Sequence, residues 1–254
     1  MKASQRILTR LARGYSRYWW LPTLLVLMLI PLSQSHFLLF HTLVEFFAIT
    51  VAIISAIVAW HTYALAKNQF LLLLGCGYFF IGGLDLAHTL TFKGLPFLDN
   101  NTGNMSLQFW IIARLFEASL LLIAPLFINA EFRPRNLIII LASTMLLLCL
   151  AIAQNWLPAF YVEGKGLTLT KIILEYVVII LLVGALFTFW QAKQEIEMSN
   201  LMLIITSIIL TIFAEYAFTL YSDFDGSMII IGHMLKLLSY WAIYVVLIES
   251  SLRQ

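Results

Sequence analysis

The sequence predicts an all-α polytopic membrane protein, a bundle of about eight transmembrane helices with both termini in the cytoplasm. Its 254 residues are 62% hydrophobic and 11% charged, with mean hydropathy +0.94, whereas soluble domains carry roughly 25% charged residues. Apolar runs long enough to cross a hydrocarbon core of about 30 Å recur along the chain between short polar breaks. Lysine and arginine crowd into alternate breaks, as their bias toward cytoplasmic loops requires. Runs of this length exclude an outer-membrane barrel, whose strands are short and alternating. The formal net charge of +2 is too small to point to nucleic acid.

The first run, residues 19–35, follows Lys2, Arg6, Arg10, Arg13 and Arg17. Such a charged stretch also opens signal peptides, but no Ala-x-Ala site follows it. Tyr18, Trp19 and Trp20 fit an interfacial belt, so the run reads as an uncleaved span. Runs at 37–65, 70–90, 109–130 and 136–154 give the next four spans, and those at 171–190, 200–220 and 227–249 the last three. Gly75, Gly77, Gly82 and Gly83 in the third run read as sites of close helix packing. Cys76 and Cys149 fall within apolar stretches and read as buried thiols. With the amino terminus inside, the inner segments hold Lys2, Arg6, Arg10, Arg13, Arg17, Lys67, Arg133, Arg135, Lys193 and Arg253. The outer segments hold Lys93, Lys165 and Lys171, and Arg114 and Lys236 lie within spans. No repeat, low-complexity tract or long linker divides the chain, so 1–254 reads as a single integral membrane domain. Its last helix is expected to continue after residue 254 into a cytoplasmic output domain.

Ionisable residues inside a bilayer cost roughly 2.5 to 3.5 kcal/mol each on insertion scales, so they normally face a cavity or a partner. Here their depths agree. His41 and Glu45 in the second span, Asp85 and His88 in the third, and Arg114 and Glu117 in the fourth all lie toward the outer ends. So do Glu175 in the sixth, Glu215 in the seventh, and His233 with Lys236 in the eighth; His61 lies at the opposite end. The pairs His41/Glu45, Asp85/His88, Arg114/Glu117 and His233/Lys236 are three or four residues apart and therefore share a helix face. Ion pairs that serve only to fix helix register have no reason to collect in one leaflet, whereas a pocket loaded from outside does. The loop at 91–97, with Phe92, Lys93, Gly94 and Pro96, reads as an interfacial turn, with a lid over the pocket as the alternative.

The stretch from His41-x3-Glu45 through Gly82-Gly83-Leu84-Asp85-Leu86-Ala87-His88-Thr89-Leu90-Thr91-Phe92-Lys93-Gly94 to Gln108-Phe109-Trp110-Ile111-Ile112-Ala113-Arg114-Leu115-Phe116-Glu117 resembles the third type of bacterial membrane-associated sensor domain. The likeness is densest over residues 40–125; the later spans agree in number and hydropathy. It implies a multi-span input module ahead of a PAS, histidine kinase, diguanylate cyclase or phosphodiesterase domain, without catalysis in this chain. Neither a nucleophile and base motif nor a phosphate-binding glycine loop is present in the sequence.

The expected function is therefore a sensor of the bacterial inner membrane. A small molecule or ion would enter from the extracytoplasmic side or from the lipid, and the signal would leave through the eighth helix, in a homodimer. The candidate ligand-binding residues are His41, Glu45, Asp85, His88, Lys93, Arg114, Glu117, Glu215, His233 and Lys236. A first alternative is a haem or transition-metal protein using His41, His88 and His233, because imidazole suits both. A second is a transporter or proton relay, which needs polar groups through both leaflets.

Overall fold

The computed structural model describes residues 2–95, 103–220 and 226–252. Eight helices follow one another: α1 (Lys2–Ser35), α2 (Phe37–Ala66), α3 (Gln69–Leu90), α4 (Asn104–Ile123, continued by a 3₁₀ turn at Ala124–Phe127), α5 (Pro134–Ala153), α6 (Leu169–Gln191), α7 (Met198–Leu220) and α8 (Ser227–Leu252). A two-stranded hairpin, β1 (Tyr161–Val162) and β2 (Gly166–Leu167), lies between α5 and α6. Among the described residues, α2 to α8 are each long and apolar enough to cross a membrane, and α1 contributes the apolar stretch Trp19–Ser35. The eight predicted segments are thus helical and in order, seven of them with the length and hydropathy of a span and the first, Trp19–Ser35, shorter. The largest differences are at two starts: α1 begins far upstream of residue 19, and α4 begins at Asn104, where Gly103 with φ +85° turns the chain into the helix.

Local chemistry sets the breaks. Lys67 closes α2 in the left-handed region, and one residue on the Asn68 side chain accepts from Leu71 N–H at 2.9 Å, capping α3. Pro134 stands in the first turn of α5, where its missing N–H costs nothing. The Thr168 hydroxyl caps α6 by accepting from Lys171 N–H.

Six helices close a ring in the order α2, α3, α4, α6, α7, α8 and back to α2. α1 lies outside it against α2 and α8, and α5 outside it against α3 and α4. Only 17% of the apolar window of α5 is buried inside the protein, against 72% for α3, so α5 presents most of its surface to lipid. Close approach makes the α2–α3 pair the tightest. A side chain at Gly75 would strike Ala59 and the backbone of Ser55, and one at Gly82 would stand 2.7 Å from Ala52 Cβ. Hydroxyl groups join α7 to α8 in the ring interior, with Ser239 Oγ 2.8 Å from Ser207 Oγ and 2.7 Å from Thr211 Oγ1. Cys76 and Cys149 are free thiols, the first buried and the second half-buried.

Candidate functional site

All six ring helices bring ionisable side chains to the same end of the bundle. His41, Glu45, Asp85, His88, Arg114, Glu117, Lys171, Glu175, Glu215, His233 and Lys236 are each at most 3% exposed. Cohesion at such burial requires partners, because an uncompensated charge in low dielectric costs several kcal/mol.

The partners lie mostly on neighbouring helices. Arg114 donates through Nη2 to both carboxylate oxygens of Asp85, at 2.8 and 3.0 Å, and through Nη1 to Glu117. Tyr240 accepts from Arg114 at 3.0 Å and donates to Asp85 Oδ2 at 2.9 Å, while Tyr78 donates to Glu117 Oε1 at 3.0 Å. Lys236 Nζ donates to Glu45 Oε2 at 2.6 Å and lies 3.2 Å from Asp85 Oδ1. Trp110 supplies a shared aromatic face, 4.5 Å from Lys236 Nζ and 5.0 Å from the Arg114 guanidinium. A second group forms on α6 and α7, where Lys171 pairs with Glu175 and donates to the backbone carbonyl of Phe218 at 2.8 Å. Glu215 stands within electrostatic range of Arg114, Glu117, Lys171 and Glu175, linking the two groups, and its Oε2 has no hydrogen-bond partner.

Above the acidic network sit three histidines. His41 Nε2 and His88 Nε2 are 3.3 Å apart, and the His41 and His233 rings meet edge to face with centroids 4.8 Å apart. His233 Nε2 faces Glu45 Oε1 at 3.4 Å. With Phe92, Leu107, Trp110, Lys171, Phe218 and Ile229 these rings enclose a cavity of about 20 Å³, enough for one water or a monatomic ion. Phe92 closes it, stacked on His41 at 3.9 Å and 5% exposed. The loop residue is therefore a cover, the alternative that the sequence reading set second; Pro96 and Phe97 lie outside the described residues.

Nine of the ten candidate ligand-binding residues thus converge. Lys93 does not: it is half-exposed and pairs with Glu163 of the hairpin at 3.6 Å. His61, at the opposite end, is exposed. The spacing rule identified the faces, but most of its pairs are not ion pairs with each other. Glu45 binds Lys236, Asp85 binds Arg114, and only Arg114/Glu117 keeps its own-helix partner among those four. Sequence reasoning missed Lys171, which it counted as an outer-loop charge. It also missed Tyr78, Tyr240 and Trp110. The Lys171/Glu175 spacing of four was a usable signal for the first; aromatic residues in apolar helices carry none. A larger concavity, about 870 Å³ and open, lies at the other end of the bundle between Tyr63, Lys67 and Arg133.

A family model described as a membrane-associated sensor domain, MASE3, matches residues 32–254. No curated protein and no solved structure gives a match.

Proposed function

Because this chain belongs to the MASE3 family of membrane-associated sensor domains, we propose that the buried polar cluster is the input site. A polar or ionic ligand binds there, and α8 passes its effect to a cytoplasmic output domain, a kinase or an enzyme of cyclic-di-GMP metabolism. The cluster faces the extracytoplasmic side if the basic residues mark the cytoplasmic one. The observation that carries this reading is the double membership of α8. It places His233 and Lys236 against Glu45 and Asp85, and it runs from Ser227 to Leu252, about 39 Å at 1.5 Å per residue, to the other end of the bundle. A ligand that alters the Glu45–Lys236–Asp85 contacts has unequal free energy in two placements of α8, which is what a signal requires.

In a full-length receptor in its native membrane, Arg114→Ala and Asp85→Ala are expected to uncouple output from stimulus while the protein still reaches the membrane. Unchanged signalling in both variants refutes the input-site reading.

A further inference from the structure

We infer that His41, His88, His233 and Glu45 form a binding site for one divalent first-row transition-metal ion, best suited to zinc-like tetrahedral coordination. The inference rests on the reading of the cluster as the input site, and it supplies the chemical class of the ligand.

The histidine tautomers carry the first part of the argument. His233 Nδ1 lies 2.7 Å from the backbone carbonyl of Ile229, and His88 Nδ1 lies 2.9 Å from that of Ser106. A carbonyl only accepts, so in both rings the proton is on Nδ1 and the neutral ring's Nε2 carries a lone pair. The Ser106 hydroxyl donates to the His88 carbonyl at 3.0 Å, so its oxygen, 2.9 Å from His88 Nδ1, also acts as acceptor toward that ring. The lone pair of His233 Nε2 then points at Glu45 Oε1, 3.4 Å away, and that of His88 accepts the Nε2 proton of His41 at 3.3 Å, a proton that a metal ion would displace. An imidazole lone pair against a carboxylate oxygen is repulsive unless a cation lies between them, either a second ring proton or a metal ion. Glu45 Oε1, His233 Nε2 and His41 Nδ1 are buried and have no hydrogen-bond partner. Nδ1–H donation to a backbone carbonyl is also the usual outer-shell arrangement of a metal-ligating histidine.

Distance agrees with this. A tetrahedral ion with bonds of about 2.0–2.1 Å has donor-to-donor edges of about 3.3–3.4 Å, the spacing found at both contacts. One donor atom from each of His41, Glu45 and His88 lies within 4.8 Å of the others, so the edges of that triad close by a movement of about 1.5 Å shared between side chains, with His233 joining through its contact to Glu45. The other Glu45 oxygen is held by Lys236, which orients the carboxylate. A donor set of three imidazoles and one carboxylate without a thiolate suits zinc, copper, nickel or iron over calcium and magnesium. Haem does not fit this arrangement: a cavity of about 20 Å³ admits no macrocycle between the rings.

The test uses the full chain, purified in nanodiscs without a polyhistidine tag, stripped with a chelator and titrated with Zn²⁺ and with Co²⁺ as a spectroscopic probe. One equivalent per chain is expected, with the intense visible absorption of tetrahedral Co²⁺. His41→Ala, His88→Ala and His233→Ala are each expected to weaken binding by at least 100-fold, since losing an outer-shell partner alone costs about 10–100-fold. His61→Ala is expected to bind as wild type. His→Gln versions replace any alanine variant that fails to give a monodisperse particle. Substoichiometric binding by folded wild type, or undiminished binding in the His41 and His233 variants, overturns the metal site. If that happens while Arg114→Ala still uncouples output, only the metal inference falls. Stoichiometric metal with output indifferent to both Arg114→Ala and Asp85→Ala upholds the site and removes the sensor reading.

Discussion

Replacing Lys236 by Met takes away an ammonium held between Glu45 Oε2 at 2.6 Å and Asp85 Oδ1 at 3.2 Å, while keeping most of the side-chain volume. Asp85 keeps Arg114 Nη2 and the Tyr240 hydroxyl, so the uncompensated charge falls on Glu45, which is fully buried and otherwise faces only the rings of His233, His41 and His88. Breaking a buried pair in this way costs about 3–5 kcal/mol. Glu45→Gln alone removes one charge-assisted hydrogen bond but leaves Lys236 beside Asp85, at about 1.5–3 kcal/mol. The double variant has no orphaned carboxylate, and its loss is confined to packing and the Lys236 contact with Trp110, about 1–2 kcal/mol. The double-mutant cycle therefore closes with a coupling of about 2–3 kcal/mol or more, and the second substitution rescues the first. Equilibrium unfolding in bicelles or nanodiscs, read by steric trapping, measures all four corners. Additive losses, with the double variant the least stable, refute the claim that Glu45 depends on Lys236.

Gly82→Leu is expected to destabilise the protein by about 1–3 kcal/mol or more, read as a lowered melting temperature in detergent, because the new side chain meets Ala52 on α2. A variant that melts as wild type would mean the α2–α3 contact is loose. Phe92→Ala removes the ring stacked on His41, so histidine modification by diethyl pyrocarbonate is expected to accelerate at His41 and leave the exposed His61 unchanged; equal rates in variant and wild type refute the cover. A topology reporter fused to the carboxyl terminus is expected to read cytoplasmic, and a periplasmic reading would invert the orientation drawn from the basic residues.

Sequence alone determined the spans and the depths of their charges. A bilayer demands about 20 apolar residues for each crossing, so both quantities can be read along a line. That is why eight helices, and one end rich in His41, Asp85, Arg114, Glu215 and Lys236, were legible without coordinates. The spacing of three or four also gave the shared faces correctly, because it depends only on helical geometry. It could not give the pairings. Which face meets which neighbour depends on the rotation and order of the helices, set by packing between segments far apart in the chain. The tertiary structure therefore decided that Glu45 meets Lys236 and not His41, that α5 stands outside the ring so that α4 touches α6, and that Lys171 turns inward to Glu175 and the Phe218 carbonyl. It also brought His41, His88 and His233 from three helices to one point under Phe92. No spacing rule relates residues 47 and 192 positions from His41, and only the closing of α8 against α2 and α3 brings them together.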